Sequence, residues 1–519
     1  MPWTDSDLFF DSAKYSELEY DIEDSCDVVV IGSGAAGGTA ARVFAENGLD
    51  VVILEEGPLV KAKEMRDDVY TGFKNIWREM GFQLAAGRAM MPVLQTSCVG
   101  GTTVVNSAII HKLPKSVHTE WENKYGLKGV FPYLELERAW SILDKELHVT
   151  KIPDAARGNN NLMMHEAADK IGIKSNIMKR SIKGCEGHGN CLQGCPTERK
   201  QATYLNFVPY AVSRNARLYT MARAEQILNK NGRACGALAY ILDQKRKKTG
   251  KKIKVEAKVA VVVAASAVHT PLLLKKNGIG KSSGLVGKRF QGHPATAVLG
   301  TFDKEVKMWE GATQGHESLE YWDKGLKLES LALPPELGAV RLPGLGRDLI
   351  EQLANYRYIA QWGMEIRSEA HGVVKKDFLG KTDIKFDPTN HDVRIVKKGI
   401  YTLCEMLFSL GAKKVFPGYF GIPEMVESMD PVKKIFDLPD DPRNLHCIMA
   451  HLFGTTLAGS DKNKSVLDLN LESHDLKNLF VVDSSFFPTN IGVNPQHAIC
   501  GLAWLAAEKI VSRKSELRS

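Results

Sequence analysis

Runs and alternations of apolar positions divide the chain into recognisable elements. "CDVVVIG", Cys26 to Gly32, is an unbroken β-branched run, the pattern of a strand buried on both faces. "AAGGTAARVFAENG" follows as a helix of small residues, and "DVVILEE" is a second buried strand, so the three predict a βαβ unit. Downstream, "CGALAYIL" and "VEAKVAVVVAA" flank the lysine-rich "QKRKKTGKKIK" from Gln244 to Lys254. Apolar run, polar stretch with Thr-Gly, apolar run predicts a β-hairpin whose lysines stand in water. Within 301–439, "YRYIAQWGMEIRS", "GVVKKDFLGKTDIKFD" and the helical "DVRIVKKGIYTLCEMLFSLGA" predict an antiparallel sheet backed by helices.

At 519 residues the chain is long for one core, so two domains are expected, neither needing disulfides or metals for stability. Composition adds little: 44% hydrophobic and 25% charged is the balance of an ordinary globular protein. The net charge of +7 is spread out except for the lysine knot, and no aromatic residues interleave with it, which argues against a nucleic-acid partner. The acidic N-terminal stretch has neither the basic nor the apolar region of a signal peptide. Val259 to Leu274 is too short to span a bilayer and carries Ser266, His269 and Pro271, so no transmembrane segment is expected. A cytoplasmic protein follows, in which clustered cysteines point to metal or redox chemistry before disulfides.

Within the βαβ unit, Gly32, Gly34 and Gly37 form G-x-G-x-x-G between strand and helix. Gly32 permits the tight turn, Gly34 lets a pyrophosphate approach the backbone, and Gly37 lets helix and strand pack closely. The phosphates would sit at the positive end of the helix. Glu55, 21 residues after Gly34, is positioned to accept from a ribose, which favours FAD or NAD over NADP.

Three later motifs decide between these. "SCVGGTTVVNSAII" (97–110), "ASAVHTPLLLKKNGIG" (265–280) with "LVGKRFQGHP" (285–294), and "HLFGTTLAGSDKNKSVLD" (451–468) with "NLFVVDSSFFPTNIGVNPQHAICGLAWLAAEKI" (478–510) together resemble the glucose-methanol-choline (GMC) flavin oxidoreductases. The resemblance covers nearly the whole chain and implies an α/β fold: a Rossmann-like FAD domain and an antiparallel-sheet α+β substrate domain. Gly100 and Gly101 match the second glycine loop, Asn106 the asparagine near the isoalloxazine, Ala224 the adenine-holding strand and Asp483 the aspartate at the ribityl chain. Val105 stands where some members carry a flavin-linked histidine, so non-covalent FAD is expected. Asn277 replaces the signature's serine and Gly292 a common aspartate, while His293 is read as structural.

Oxidising an alcohol requires removal of a hydroxyl proton and a carbinol hydride, the hydride going to flavin N5. His451 is the candidate base, since an imidazole, with an ordinary pKa of about 6.5, accepts a proton near neutral pH. Asn494, matching the family's second active-site position, would hold the substrate oxygen. His446 and His497 compete with His451 from flanking positions, and Glu365 is a further candidate because one steroid-oxidising branch uses a carboxylate from the substrate domain.

Cys185, Cys191 and Cys195, in "CEGHGNCLQGCP", are spaced C-x5-C-x3-C with glycines among them. Zinc would need a fourth ligand, for which His188, lying between Cys185 and Cys191, is the candidate. A three-cysteine [3Fe-4S] cluster suits the count and resembles the cluster-containing sugar dehydrogenase branch; a glycine-rich loop of reduced thiols is the other reading.

The expected architecture is a discontinuous FAD domain from 24–135, 200–300 and 440–519, a substrate domain from 301–439, and a bridging segment, 136–199, with the cysteine loop. The implied function is FAD-dependent oxidation of a CH-OH group in a long-chain, sterol or sugar alcohol. Electrons would pass to oxygen, a soluble acceptor, or an acceptor protein or quinone. The alternative is a lyase of the hydroxynitrile lyase type, holding FAD without net redox.

Overall fold

The computed structural model describes residues 9–10 and 20–518. Its first sheet runs, edge to edge, through Phe9–Phe10, Arg217–Tyr219, Val51–Leu54, Ile22–Ile31, Lys248–Val263, Arg233–Leu242 and Ala222–Lys230, with Leu479–Val481 also paired to Lys248–Val263. Pairing is parallel from Phe9–Phe10 as far as Lys248–Val263 and antiparallel beyond it. Strand Lys248–Val263 changes character along its length. Its lysine-rich first half is the exposed arm of the hairpin, and its second half, "VAVVV", is fully buried between Ile22–Ile31 and Leu479–Val481. Continuous apolar residues suit a strand covered on both faces, and alternation suits one face in water.

Helix Ala35–Glu46 is built from small residues because helix Gln496–Ser512 lies directly on it, close enough for the Cys500 thiol to reach the Ala35 carbonyl at 3.6 Å. Among the described residues no helix is long and apolar enough to cross a membrane.

The second sheet is centred on Lys288–Thr301. Ile359–Ile366 pairs antiparallel with it and in turn with Leu326–Ser330; Gly372–Lys376, Lys414–Phe416 and Ile448–Phe453 pair with it elsewhere. Strands Lys288–Thr301 and Ile448–Phe453 thus lie here, although they come from stretches that also feed the nucleotide end. Helix Asn390–Ser409 backs this sheet, opened by a Thr389–Asp392 capping box. A Cβ on Gly399 would collide with Met364 Sδ, so glycine there sets how closely helix and sheet approach. Between the two sheets lies a cavity of about 1590 Å³. That exceeds the usual ~300–1,000 Å³ of a single small-ligand pocket and leaves room for a dinucleotide and a second molecule.

Candidate active site

The nucleotide end of the cavity is formed by two glycine loops that face each other. Gly32 has φ +100°, and a Cβ on Gly37 would collide with the Gly32 carbonyl, so both positions require glycine. A Cβ on Gly101 would stand 2.9 Å from the Gly34 Cα, so the loops can approach only as glycines. The Gly100 amide donates to the Ser33 hydroxyl at 3.0 Å and closes the contact.

Glu55 is buried, accepting from the Ser33 amide at 3.0 Å, the Ser33 hydroxyl at 2.7 Å and the Gly57 amide at 2.9 Å. A carboxylate has about four lone-pair sites, so one is left facing the cavity it lines. Asp483 is held by Ser266, Thr270 and Ser485 through bonds of 2.5–2.9 Å, and Asn106 donates to Gln496 at 2.5 Å. Ala224 lines the same cavity. Asn277, the departure from the family signature, accepts from the Ile227 amide and donates to the Glu225 and Leu273 carbonyls, tying its helix to the strand of Ala224. At Gly292 a Cβ would lie 2.8 Å from Met449 Sδ, so an aspartate there would have to displace that side chain. These residues fit FAD: two facing glycine loops for the pyrophosphate and two carboxylates fixed beside the cavity.

At the other end, the second sheet presents a charged stripe. Lys327 is the cross-strand neighbour of Glu365, and Ala295 neighbours Glu365 on the opposite side. In the pairing of Lys288–Thr301 with Ile448–Phe453 the register slips between Gly292 and Pro294, because proline cannot donate to the ladder. The slip brings His293 Nδ1 to 3.1 Å from His451 Nδ1.

The hydrogen bonds assign the protons. The Gly492 amide donates to His293 Nε2 at 3.0 Å, so neutral His293 carries its proton on Nδ1. His451 Nδ1 lies 2.9 Å and His293 Nδ1 3.6 Å from the same Glu365 Oε2, so both Nδ1–H groups are directed at that carboxylate oxygen rather than at each other, and His451 keeps a free lone pair on Nε2. That Nε2 lies 3.5 Å from Asn494 Nδ2. Lys327 Nζ, which can only donate, stands 2.5 Å from Asn494 Oδ1 and so turns the amide NH2 towards His451.

Lys327 is fully buried, with Glu329, Glu317 and Glu365 at 2.7, 3.3 and 3.4 Å. Burial opposes its charge, but the three carboxylates hold its pKa above the ordinary lysine value. Burial would likewise raise Glu365, yet Lys327 and the two histidines keep it well below the usual carboxylate range. Glu317, although buried, is brought to about 2 by Lys327 and by His111, 2.9 Å away. Burial outweighs the ammonium only at Glu329, whose pKa is raised.

Sequence reasoning named Glu365 and His451 without the contact between them, read His293 as structural, and did not find Lys327, Glu317 or Glu329. Of the competing histidines, His446 lines the cavity with its pKa lowered to about 4 by burial and Arg341. His497 is fully buried, packed against Trp140 and 2.9 Å from Asp144.

The cysteine loop is tied to the second glycine loop of the cavity. Lys200 Nζ donates to the carbonyls of Val104, Asn106 and Cys191, at 2.6, 2.8 and 2.9 Å. Arg180 donates to Cys191 Sγ at 3.1 Å, and the Lys200 amide and Thr197 hydroxyl lie at 3.4 and 3.6 Å from Cys195 Sγ. Burial would raise the Cys191 thiol, but Arg180 and Lys200 bring its pKa to about 7. Among the described residues the only groups gathered like the ligands of a single ion are His293, Glu365 and His451, and the three cysteines are not so gathered. In the His451 trio both Nδ1 atoms are directed at the Glu365 carboxylate.

Known proteins match this arrangement along most of the chain. The two models described as GMC oxidoreductase match residues 26–295 and 371–503. A GMC-type oxidoreductase of Mycobacterium tuberculosis, itself uncharacterised, is 33% identical over 94% of this chain and 76% of its own. A long-chain-alcohol oxidase of Arabidopsis thaliana is 27% identical over 95% of this chain and 67% of its own. Among solved structures, a formate oxidase of Aspergillus oryzae superposes with a TM-score of 0.72 at 16% identity, over 96% of this chain and all of that one.

Proposed function

The chain belongs to the GMC oxidoreductase family, and from that premise we propose that it oxidises a CH-OH group of a largely apolar alcohol, with His451 as base. One observation carries the reading: the Nδ1–H of His451 is committed to Glu365, so its basic Nε2 and the Asn494 amide address the same point in the cavity. A substrate hydroxyl there gives its proton to His451 Nε2 and accepts from Asn494 Nδ2. The imidazolium that forms keeps its Nδ1–H on Glu365, which Lys327 keeps ionised. FAD, when bound, supplies the hydride acceptor. Leu331, Leu333, Leu337 and Val340 line the cavity beyond this point and suit a long apolar body, as does the likeness to a long-chain-alcohol oxidase. Nine free cysteines agree with a reducing compartment, the cytoplasm in this reading.

Anaerobic mixing with a long-chain primary alcohol tests the proposal. The flavin absorbance is expected to bleach, and acid precipitation to release all the FAD into the supernatant, since buried Val105 offers no side-chain nitrogen for a covalent link. A flavin that stays oxidised with every alcohol, while the protein cleaves a cyanohydrin, would establish the lyase alternative.

For the cysteine loop, the Lys200 and Arg180 bonds support a tie that holds the flavin loop, with reduced thiols. Iron and acid-labile sulfide per FAD, in protein purified without oxygen, are expected near zero. About three irons with matching sulfide would instead make Cys185, Cys191 and Cys195 the ligands of a [3Fe-4S] cluster and an exit for single electrons to a protein or quinone.

A further inference from the structure

The wall of the cavity beside His451 is more polar than oxidation of a simple alkanol requires. Strand Ile359–Ile366 turns Gln361, Gly363 and Glu365 to the cavity, alternate residues sharing one face. On the neighbouring strand Glu329 stands opposite Gly363, next to Lys327 opposite Glu365. Lys327 donates both to Asn494 at 2.5 Å and to Glu329 at 2.7 Å, so one ammonium separates the Glu329 carboxyl from the group that meets the reacting oxygen. Gln314 supports Glu329 from the next segment and also lines the cavity.

Gln361 is the informative residue. It is 0% exposed, yet neither its side-chain nitrogen nor its oxygen has a hydrogen-bond partner. Each buried polar atom left without a partner costs about 1–3 kcal/mol, so an amide with both atoms unpaired calls for a polar group in the space it lines. An alkyl chain cannot supply one, but a second hydroxyl can, since it both donates and accepts. Ala295 and Ala297 on the other neighbouring strand, with Leu331 and Val340, leave the rest of the wall apolar.

We propose that Glu329, Gln314 and Gln361 form a second polar subsite that takes a hydroxyl a few carbons from the one oxidised, so that the preferred substrate is a diol with an apolar tail. The inference rests on the alcohol-oxidising reading above and narrows its substrate class. A site built around buried hydrogen-bonding groups discriminates against an analogue that leaves them unpaired, far more strongly than an apolar pocket rejects an added hydroxyl.

The test is calorimetric binding to the FAD-loaded protein of 1-octanol and of octane-1,2-, 1,3- and 1,4-diol, followed by anaerobic flavin reduction with each. At least one diol is expected to bind about tenfold or more tighter than 1-octanol, one hydrogen bond's worth of preference. Glu329→Leu and Gln361→Leu are each expected to erase that preference. Gln361→Leu removes two unpaired atoms and breaks no hydrogen bond, so it keeps the test available should Glu329→Leu fail to fold. Diols that bind no tighter than 1-octanol, or variants that weaken all four ligands equally, would overturn the subsite and leave alcohol oxidation standing. Binding preference without flavin reduction by any ligand would keep the subsite and remove the oxidation.

Discussion

His451→Ala is expected to retain FAD and to lose about 100-fold to 10,000-fold in the rate of anaerobic flavin reduction, the span typical of removing one general base. Retention of fold and cofactor follows from what the substitution leaves in place. Glu365 keeps Lys327 at 3.4 Å and His293 at 3.6 Å, so no carboxylate is stranded. None of the glycine-loop contacts that form the nucleotide end involves His451. The loss follows from Nε2: among the described residues no other lone-pair nitrogen lies beside Asn494 Nδ2, since Nδ1 of His293 is directed at Glu365 and its Nε2 accepts from Gly492. Stopped-flow reduction of the FAD-loaded variant, compared with His446→Ala, checks the assignment. His446 is expected to matter much less, because it lines the cavity without contact to Glu365 or Asn494. Single-turnover reduction unchanged in His451→Ala would move the base elsewhere, and a large loss in His446→Ala would move it there.

The parts of this site that the sequence revealed are those where a local requirement dictates a residue type. Gly32 and Gly37 are legible because the turn needs φ +100° at one and no side chain at the other. The lysine hairpin is legible because a dense run of like charge with no acidic residue in it stands in water, and the structure pairs its arms antiparallel. The Lys327–Glu365 stripe was hidden by the same rule. "LKLES" alternates apolar and polar residues like a strand with one wet face, but the face carrying Lys327 and Glu329 turns into the cavity and is buried. Its meaning rests on cross-strand register with Glu365, a non-local fact that no spacing encodes. The contact of His293, read as structural, with His451 was hidden for a related reason. The register slip at Pro294 is local, but the ring it presents to His451 comes from a strand 158 residues away in the chain.

Lys327→Met should reverse the pH dependence of stability. In the wild-type protein Glu317 and Glu365 have pKa values below the usual carboxylate range, Glu317 near 2. Their contribution is complete above the unfolded value of about 4.3 and is lost as pH falls through the lowered values, so acid destabilises. Without the ammonium the same carboxylates stay buried beside Glu329 with only the imidazoles of His111, His293 and His451 near them, and burial pushes their pKa values up. Their protonated forms then favour the fold, so stability is present at low pH and is lost as pH rises through the raised values. At neutral pH the variant is expected to be about 3–5 kcal/mol less stable, the usual consequence of removing one partner from a buried ion pair. Melting midpoints between pH 4 and 8 should therefore rise with pH, or stay level, in the wild type and fall with pH in the variant. Parallel slopes would mean that the carboxylates do not depend on Lys327. Activity provides a second readout, since Asn494 Oδ1 loses the only donor that fixes its orientation among the described residues. Flavin reduction in Lys327→Met should then fall even at pH 5, where protonation of the carboxylates restores the fold. A variant that recovered full activity along with stability would reduce Lys327 to charge compensation alone and leave Asn494 to orient itself.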